Sequence, residues 1–306
     1  MNAGAALTQK RRLPLWRSLL FVPVNIDKYV DRAHTRGADA IILDLEDSVL
    51  PQDKERARAL VPAAAKKAGR GGAEVAVRVN RPWRLCLKDL EAVVCREVAC
   101  LFLPKAESAD HVRMVAEVLD ELEAERGLPP GHTRLVPMIE TAAAFLRVAE
   151  IPAASPRVAG LNLGAEDFAL SVGMLPEAEG LFFPKQTIVI AARAAGVLPL
   201  GFIGTVADYK DLDAFRATVR RSRRLGFAGA SVIHPAQVPI LNEEFRPSAA
   251  EVDQARRILA AFEEAAKTHR GSVEVDGKMV DIPVAERARQ VVERHEAIER
   301  RTRGTA

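Results

Sequence analysis

Eight short apolar runs, separated by longer stretches of which several carry a helical period, constrain this chain more than any other feature. The runs occupy 16–22, 40–43, 74–77, 100–103, 135–138, 158–163, 200–203 and 230–233 and are rich in Val, Ile and Leu. Their apolar residues are consecutive rather than alternate, so both faces of each strand need cover, as in a parallel sheet. Between the runs lie amphipathic stretches such as 52–68, 109–125 and 212–225. Strand–helix alternation repeated eight times predicts an α/β fold of the TIM (β/α)8 barrel type. A doubly wound open sheet shares the alternation, but its first strand ordinarily leads into a glycine-rich phosphate turn. Here that turn reads VPVNID.

The chain of 306 residues, 48% of them hydrophobic, is long enough for a barrel at 1–245 followed by an extension at 246–306. In the extension Ser248 is placed to cap a helix running to about 268. Asp276 and Gly277, between two β-compatible runs, predict a two-residue hairpin. A last helix is expected near 284–300, with RRTRGTA fraying behind it. This helix–hairpin–helix unit is too small for a large core of its own and is expected to pack on the barrel or on a neighbouring subunit.

The charge balance excludes some partners. With 44 basic and 41 acidic residues the net charge is +3, which argues against nucleic acid or a membrane surface. The basic group Arg220, Arg221, Arg223 and Arg224 reads as a solvated helix face. Cys86, Cys95 and Cys100 lack zinc spacing and form no disulfide framework, which points to a reducing compartment. The start, MNAGAALTQKRR, lacks the apolar core of a secretory signal, and no apolar run is long enough to span a bilayer. The expected location is the cytoplasm.

The residues that follow the strands carry the chemistry. Asp44, Glu46 and Asp47 follow the second, Arg78 and Asn80 end the third, and Lys105 and Glu107 follow the fourth. Glu140 follows the fifth, Glu166 and Asp167 the sixth, and His234 the eighth. In a barrel these positions converge on one face, where active sites form. Glu140 and Asp167 follow adjacent strands, so their carboxylates can share a cation; hard oxygen ligands suit magnesium or manganese. Each could instead cap the helix behind it. Arg78 can grip a substrate carboxylate as a bidentate fork, or pair with Asp44 or Asp47. Lys105 reads as an ion-pair partner of Glu107, since nothing beside it favours a Schiff base. His234 is either a loop residue or a binding residue.

The motifs RSLLFVP (17–23), ILDLEDSV (42–49), VRVN (77–80), LPKAES (103–108), PMIET (137–141), GAEDF (164–168) and VIHPAQV (232–238) occur in order along the barrel. With them the chain resembles the citrate lyase β-subunit-like and malyl-CoA (citramalyl-CoA) lyase family, within the HpcH/HpaI aldolases. The resemblance implies carbon–carbon bond cleavage or formation in β-hydroxyacyl-CoA thioesters, yielding acetyl-CoA and a 2-keto acid. It puts Glu140 and Asp167 on the magnesium ligands and Arg78 on the carboxylate clamp. Arg17 falls on an arginine near the reacting carbonyl. Asp44, Glu46 and Asp47 fall on a second acidic group that orders metal waters and arginine partners, and His234 is assigned to the CoA thioester. GKMVDIP (277–283) resembles a tail motif in which an aspartate, here Asp281, reaches an active site, commonly that of an adjacent subunit; this implies a homotrimer or homohexamer. The tail argues for a self-sufficient CoA lyase over a citrate lyase subunit. Two departures, FPKQ at 183–186 and Leu200 with Gly201, lie where the thioester arm is expected to run. They leave open an aldolase or thioester hydrolase of the same fold acting on a different acid.

Overall fold

The computed structural model describes residues 13–205, 210–267 and 270–304. Eight parallel strands carry the fold: β1 (Ser18–Pro23), β2 (Ala40–Asp44), β3 (Glu74–Arg78), β4 (Cys100–Leu103), β5 (Arg134–Ile139), β6 (Gly160–Leu163), β7 (Leu198–Leu200) and β8 (Ala230–Val232). Each pairs with its neighbour in chain order, and β1 also pairs with β8. A parallel bridge between Leu200 and Gly229 joins the two remaining edges and closes the barrel. Ala228 N donates to Pro199 O and Gly201 N to Gly229 O across this seam. Gly229 is required there: a Cβ would stand 1.8 Å from the carbonyl oxygen of Trp16.

The consecutive apolar residues have the predicted use. Ala40, Ile42, Cys100, Phe102, Val136 and Met138 point into the barrel and join Trp16, Leu19 and Leu200 in one core. Their alternates Ile41, Leu43, Leu101 and Leu103 are equally buried, on the opposite, outward face of the strands. Large Trp16 and Phe102 face small Ala76, Ala159 and Ala228, which fills the interior without a pore. The helix Ala109–Glu125 occupies the amphipathic stretch expected for it and starts at Ser108, whose Oγ accepts from His111 N. At the barrel's other mouth Arg157 and Glu123, both buried, pair at 2.6 Å.

The chain divides into two compact units between Asn242 and Glu243. The second holds the helix Ala249–Lys267, the antiparallel strands β9 (Val273–Val275) and β10 (Lys278–Val280), and the helix Ile282–Gly304. Ser248 caps the first of these helices, accepting from Glu251 N. Asp276 (φ 51°) and Gly277 (φ 73°) are both left-handed, the type I′ hairpin turn their identities call for. The last helix runs through Gly304, so RRTRG continues it rather than fraying. Among the described residues no helix is long and apolar enough to cross a membrane.

Candidate active site

The C-terminal ends of the strands open into a cavity of about 1100 Å³. Asp44, Arg78, Glu140 and Asp167 line it together, with Lys185 and His234 also on its walls and Met138, Asn162 and Ser231 presented by the strands. Position along a strand therefore decides which charged residues meet, as the sequence pattern implied.

Glu140 follows β5 directly and is buried to 2% exposure. It is not a helix cap. Thr141 takes that task, its Oγ1 accepting from Ala144 N at 3.1 Å. Glu140 Oε2 instead accepts from Lys105 N at 2.7 Å. Its other oxygen rests against Gly164, where a Cβ would stand 2.3 Å away. Burial first, and Glu46 next, push the Glu140 carboxyl up to about 8, despite the Lys105 ammonium. Asp167 lies in the first turn of the helix Ala165–Val172, with a partly exposed side chain.

Lys105 joins these acids. Its Nζ donates to Glu46 Oε1 and to Asp167 Oδ2, each at 3.2 Å. Burial disfavours its charge, but Glu140, then Glu46 and Asp167, outweigh burial and hold it protonated. The expected pairing of Lys105 with Glu107 does not occur; Glu107 turns to Arg81, 3.8 Å away. Lys105 stands in the left-handed region at φ 47°, which a sequence without Gly or Asn at this point does not announce.

Arg78 shows the ion-pair alternative. Nε and Nη2 donate to the two oxygens of Asp44, each at 2.7 Å, and Nη1 donates to Asp47 at 2.9 Å. Glu46 Oε2 is also 2.9 Å from Nη1. The bidentate fork is thus filled by Asp44. Burial of Asp44 is overcome by the Arg78 hydrogen bonds, so its carboxyl lies below the usual range. Burial raises that of Glu46.

Arg17 is the clearest correction. It precedes β1 and lies at the opposite mouth, where Nε and Nη2 grip Asp39 at 2.8 Å each. Asp39 precedes β2, so this pair bolts two strand starts together and cannot serve the reacting centre. His234 is exposed on the cavity wall, Nδ1 accepting from Ala236 N at 3.3 Å. Asp281 Oδ1 accepts from Val284 N at 3.2 Å, capping the last helix of the second unit. In FPKQ, Phe183 is exposed while Lys185 is buried on the cavity wall, donating to Phe202 O at 2.6 Å and also to Gly204 O. Burial pulls the Lys185 ammonium down to about 7, against the opposing effect of Glu166.

Among the described residues no group of three or more His, Cys, Asp or Glu side chains forms a metal cage. Magnesium does not need one, because it keeps several waters and uses one or two carboxylates. Glu140 and Asp167 offer oxygen alone, and the buried Glu140 carboxyl, which among the described residues accepts from the Lys105 backbone N–H and from no side chain, suits a divalent cation.

A closed barrel that gathers acids, a lysine and a half-buried arginine at the C-terminal ends of its strands has the build of a (β/α)8 enzyme. Residues 17–235 match the HpcH/HpaI aldolase/citrate lyase family, and the chain belongs to it. Citrate lyase subunit beta of Escherichia coli (strain K12) is 37% identical over 297 residues, which span 95% of this chain and 97% of that protein. L-malyl-CoA/beta-methylmalyl-CoA lyase of Rhodobacter capsulatus is 34% identical over 303 residues, covering 92% and 94%. The crystal structure of CitE from Mycobacterium tuberculosis with magnesium, acetoacetate and coenzyme A superposes with a TM-score of 0.69 at 29% identity, over 94% of this chain and 99% of that one. The E. coli subunit thus aligns along nearly the whole chain, extension included. The tail therefore does not separate a free-standing lyase from a citrate lyase subunit.

Proposed function

We propose that the protein is a magnesium-dependent carbon–carbon lyase that cleaves or forms a β-hydroxyacyl-CoA thioester of the malyl-CoA or citramalyl-CoA type, giving acetyl-CoA and a 2-keto acid. The observation that carries this reading is the meeting of Glu140, Asp167 and Arg78 in one cavity. In it Glu140 and Asp167 hold magnesium, with manganese as the alternative ion. Bound there, the metal supplies Lewis acidity at the 2-hydroxy carboxylate of the substrate.

The chain's own groups do the rest. Arg78 keeps one Nη2 hydrogen outside its Asp44 fork, and of its two Nη1 neighbours, Glu46 and Asp47, Asp47 is 64% exposed and is the one the substrate displaces. The substrate carboxylate takes these positions. Glu46, buried and raised above the ordinary carboxylate range, takes the hydroxyl proton. Asp44 holds Arg78 in place. His234 meets the CoA portion at the mouth. Asp281, from the extension of a neighbouring copy in a homotrimer or homohexamer, exchanges a proton at the acyl methyl carbon.

The second reading is a β-subunit-like component of a citrate lyase complex, favoured by the identity to the E. coli subunit. Purified protein incubated with malyl-CoA and citramalyl-CoA, with and without magnesium, decides between them when glyoxylate and pyruvate are measured. Metal-dependent release of either keto acid is the expected result. Turnover of neither ester by the isolated chain would overturn the proposal and leave the subunit reading.

A further inference from the structure

Lys105 is tied into the site at every polar group it has. Its N–H donates to Glu140 at 2.7 Å, and its carbonyl oxygen accepts from Arg81 Nε at 3.1 Å. Its Nζ spans Glu46 and Asp167 at 3.2 Å each. One residue thereby joins groups that follow β2, β3, β5 and β6. The left-handed backbone at φ 47° is what allows this. It turns the N–H toward Glu140 while the side chain folds back between the other two acids. A non-glycine residue held in this region of backbone space is a strain that the surrounding bonds must impose. Here they do so from both its N–H and its carbonyl.

We propose that Lys105 is a built-in counter-ion that competes with the metal for Asp167: its ammonium neutralises the acids of the metal-free site and must leave Asp167, staying with Glu46, when magnesium binds. The inference rests on the reading of Glu140 and Asp167 as the metal ligands. It follows from where the ammonium stands. A cation on one proposed ligand, beside the other, blocks an oxygen that the metal needs and repels the metal's charge. The cost of displacing it lowers affinity, and in return the acids do not repel each other before the metal arrives. Lys105 is on this account a positioning residue that tunes metal affinity.

The sign of its effect separates this role from a structural one. A lysine that merely shapes the site weakens metal binding when it is removed, whereas a competing lysine strengthens it. The test is calorimetric titration of magnesium into metal-free wild type, Lys105→Met and Lys105→Gln, with thermal unfolding of each measured with and without the ion. Met keeps the β-carbon and the length of the stem. Gln keeps a donor without the charge and serves if the Met variant does not fold. The expected result is magnesium bound about tenfold or more tightly by the variants, because a unit charge is removed beside a divalent one. Their metal-free forms should also unfold at lower temperature and gain more on adding magnesium. Equal or weaker binding in the variants, with wild type binding normally, overturns the competition alone. No magnesium binding by wild type overturns the ligand assignment of Glu140 and Asp167 and this inference with it.

Discussion

Adding one methyl group at Gly164 perturbs the site with little else changed. A Cβ there would stand 2.3 Å from Glu140 Oε1, 2.6 Å from its Cγ and 2.8 Å from its Cδ. Ordinary contact begins near 3.4 Å, so the carboxylate must retreat by about 1 Å. The backbone accepts alanine without strain, since Gly164 sits at φ −75° and ψ 102°. The cost to the fold is therefore crowding, about 1–3 kcal/mol. The cost to the site is larger. Glu140 is held by the Lys105 N–H at 2.7 Å, and the retreat lengthens that bond and moves an oxygen that the metal needs. A misplacement of about 1 Å at a reacting centre costs about 10²-fold in rate, equivalent to about 2.7 kcal/mol of barrier. Gly164→Ala should thus unfold a few degrees below wild type, bind magnesium more weakly and cleave its thioester about 10²-fold more slowly. Steady-state kinetics, magnesium calorimetry and thermal unfolding report the three effects. A folded Gly164→Ala protein with wild-type turnover and wild-type magnesium affinity would refute the placing of Glu140 at the centre of the chemistry.

Three further outcomes follow from the same geometry. The Glu140 carboxyl, pushed up to about 8 from an ordinary 4.5, keeps in the folded protein a proton that the unfolded chain releases. Its contribution to metal-free stability is fully present below about 4.5 and lost as pH rises through about 8; urea unfolding across this window should show the decline, and Glu140→Gln should flatten it. Arg157→Leu leaves Glu123 charged, buried and unpaired, so urea unfolding should show a loss of about 3–5 kcal/mol while magnesium affinity is unchanged. Asp281→Asn should lower turnover by about 10²–10⁴-fold and spare magnesium binding, and turnover within a few fold of wild type removes Asp281 from the mechanism.

Strands buried on both faces were the most legible part of the fold. The run at 100–103 is β4 residue for residue, because both its faces need cover and so all its positions are apolar. The first run began at Trp16, two residues ahead of β1, and the seventh, 200–203, shares only Leu200 with β7, since Trp16, Phe202 and Ile203 join the core without joining the sheet. At β7 the strand stops at Leu200, and Gly201 at φ 137° turns the chain toward the carbonyls that receive Lys185. The acids of the site were legible because each lies at the C-terminal end of a strand or within four residues of it. Their pairing was not. Lys105 bonds across two intervening loops to Glu46 and Asp167 in preference to nearby Glu107, a choice set by the barrel's curvature rather than by separation along the chain. The fork of Arg78 on Asp44 depends in the same way on β2 and β3 being neighbours in register, Asp44 opposite Arg78.

The bolt between Arg17 and Asp39 carries a lesson in distance. The stretch 17–23 runs the height of the barrel, roughly 20 Å at the rise of a strand. Its first residue secures the scaffold and its last, Pro23, borders the cavity. A compact string of letters is thus a vertical section through the molecule, with mechanical parts at its foot and chemical parts at its head. The same direction holds for every barrel strand, since all are parallel. To change what the enzyme accepts, variation belongs at the final letters of each such string; to change how well the protein survives heat, it belongs at the first.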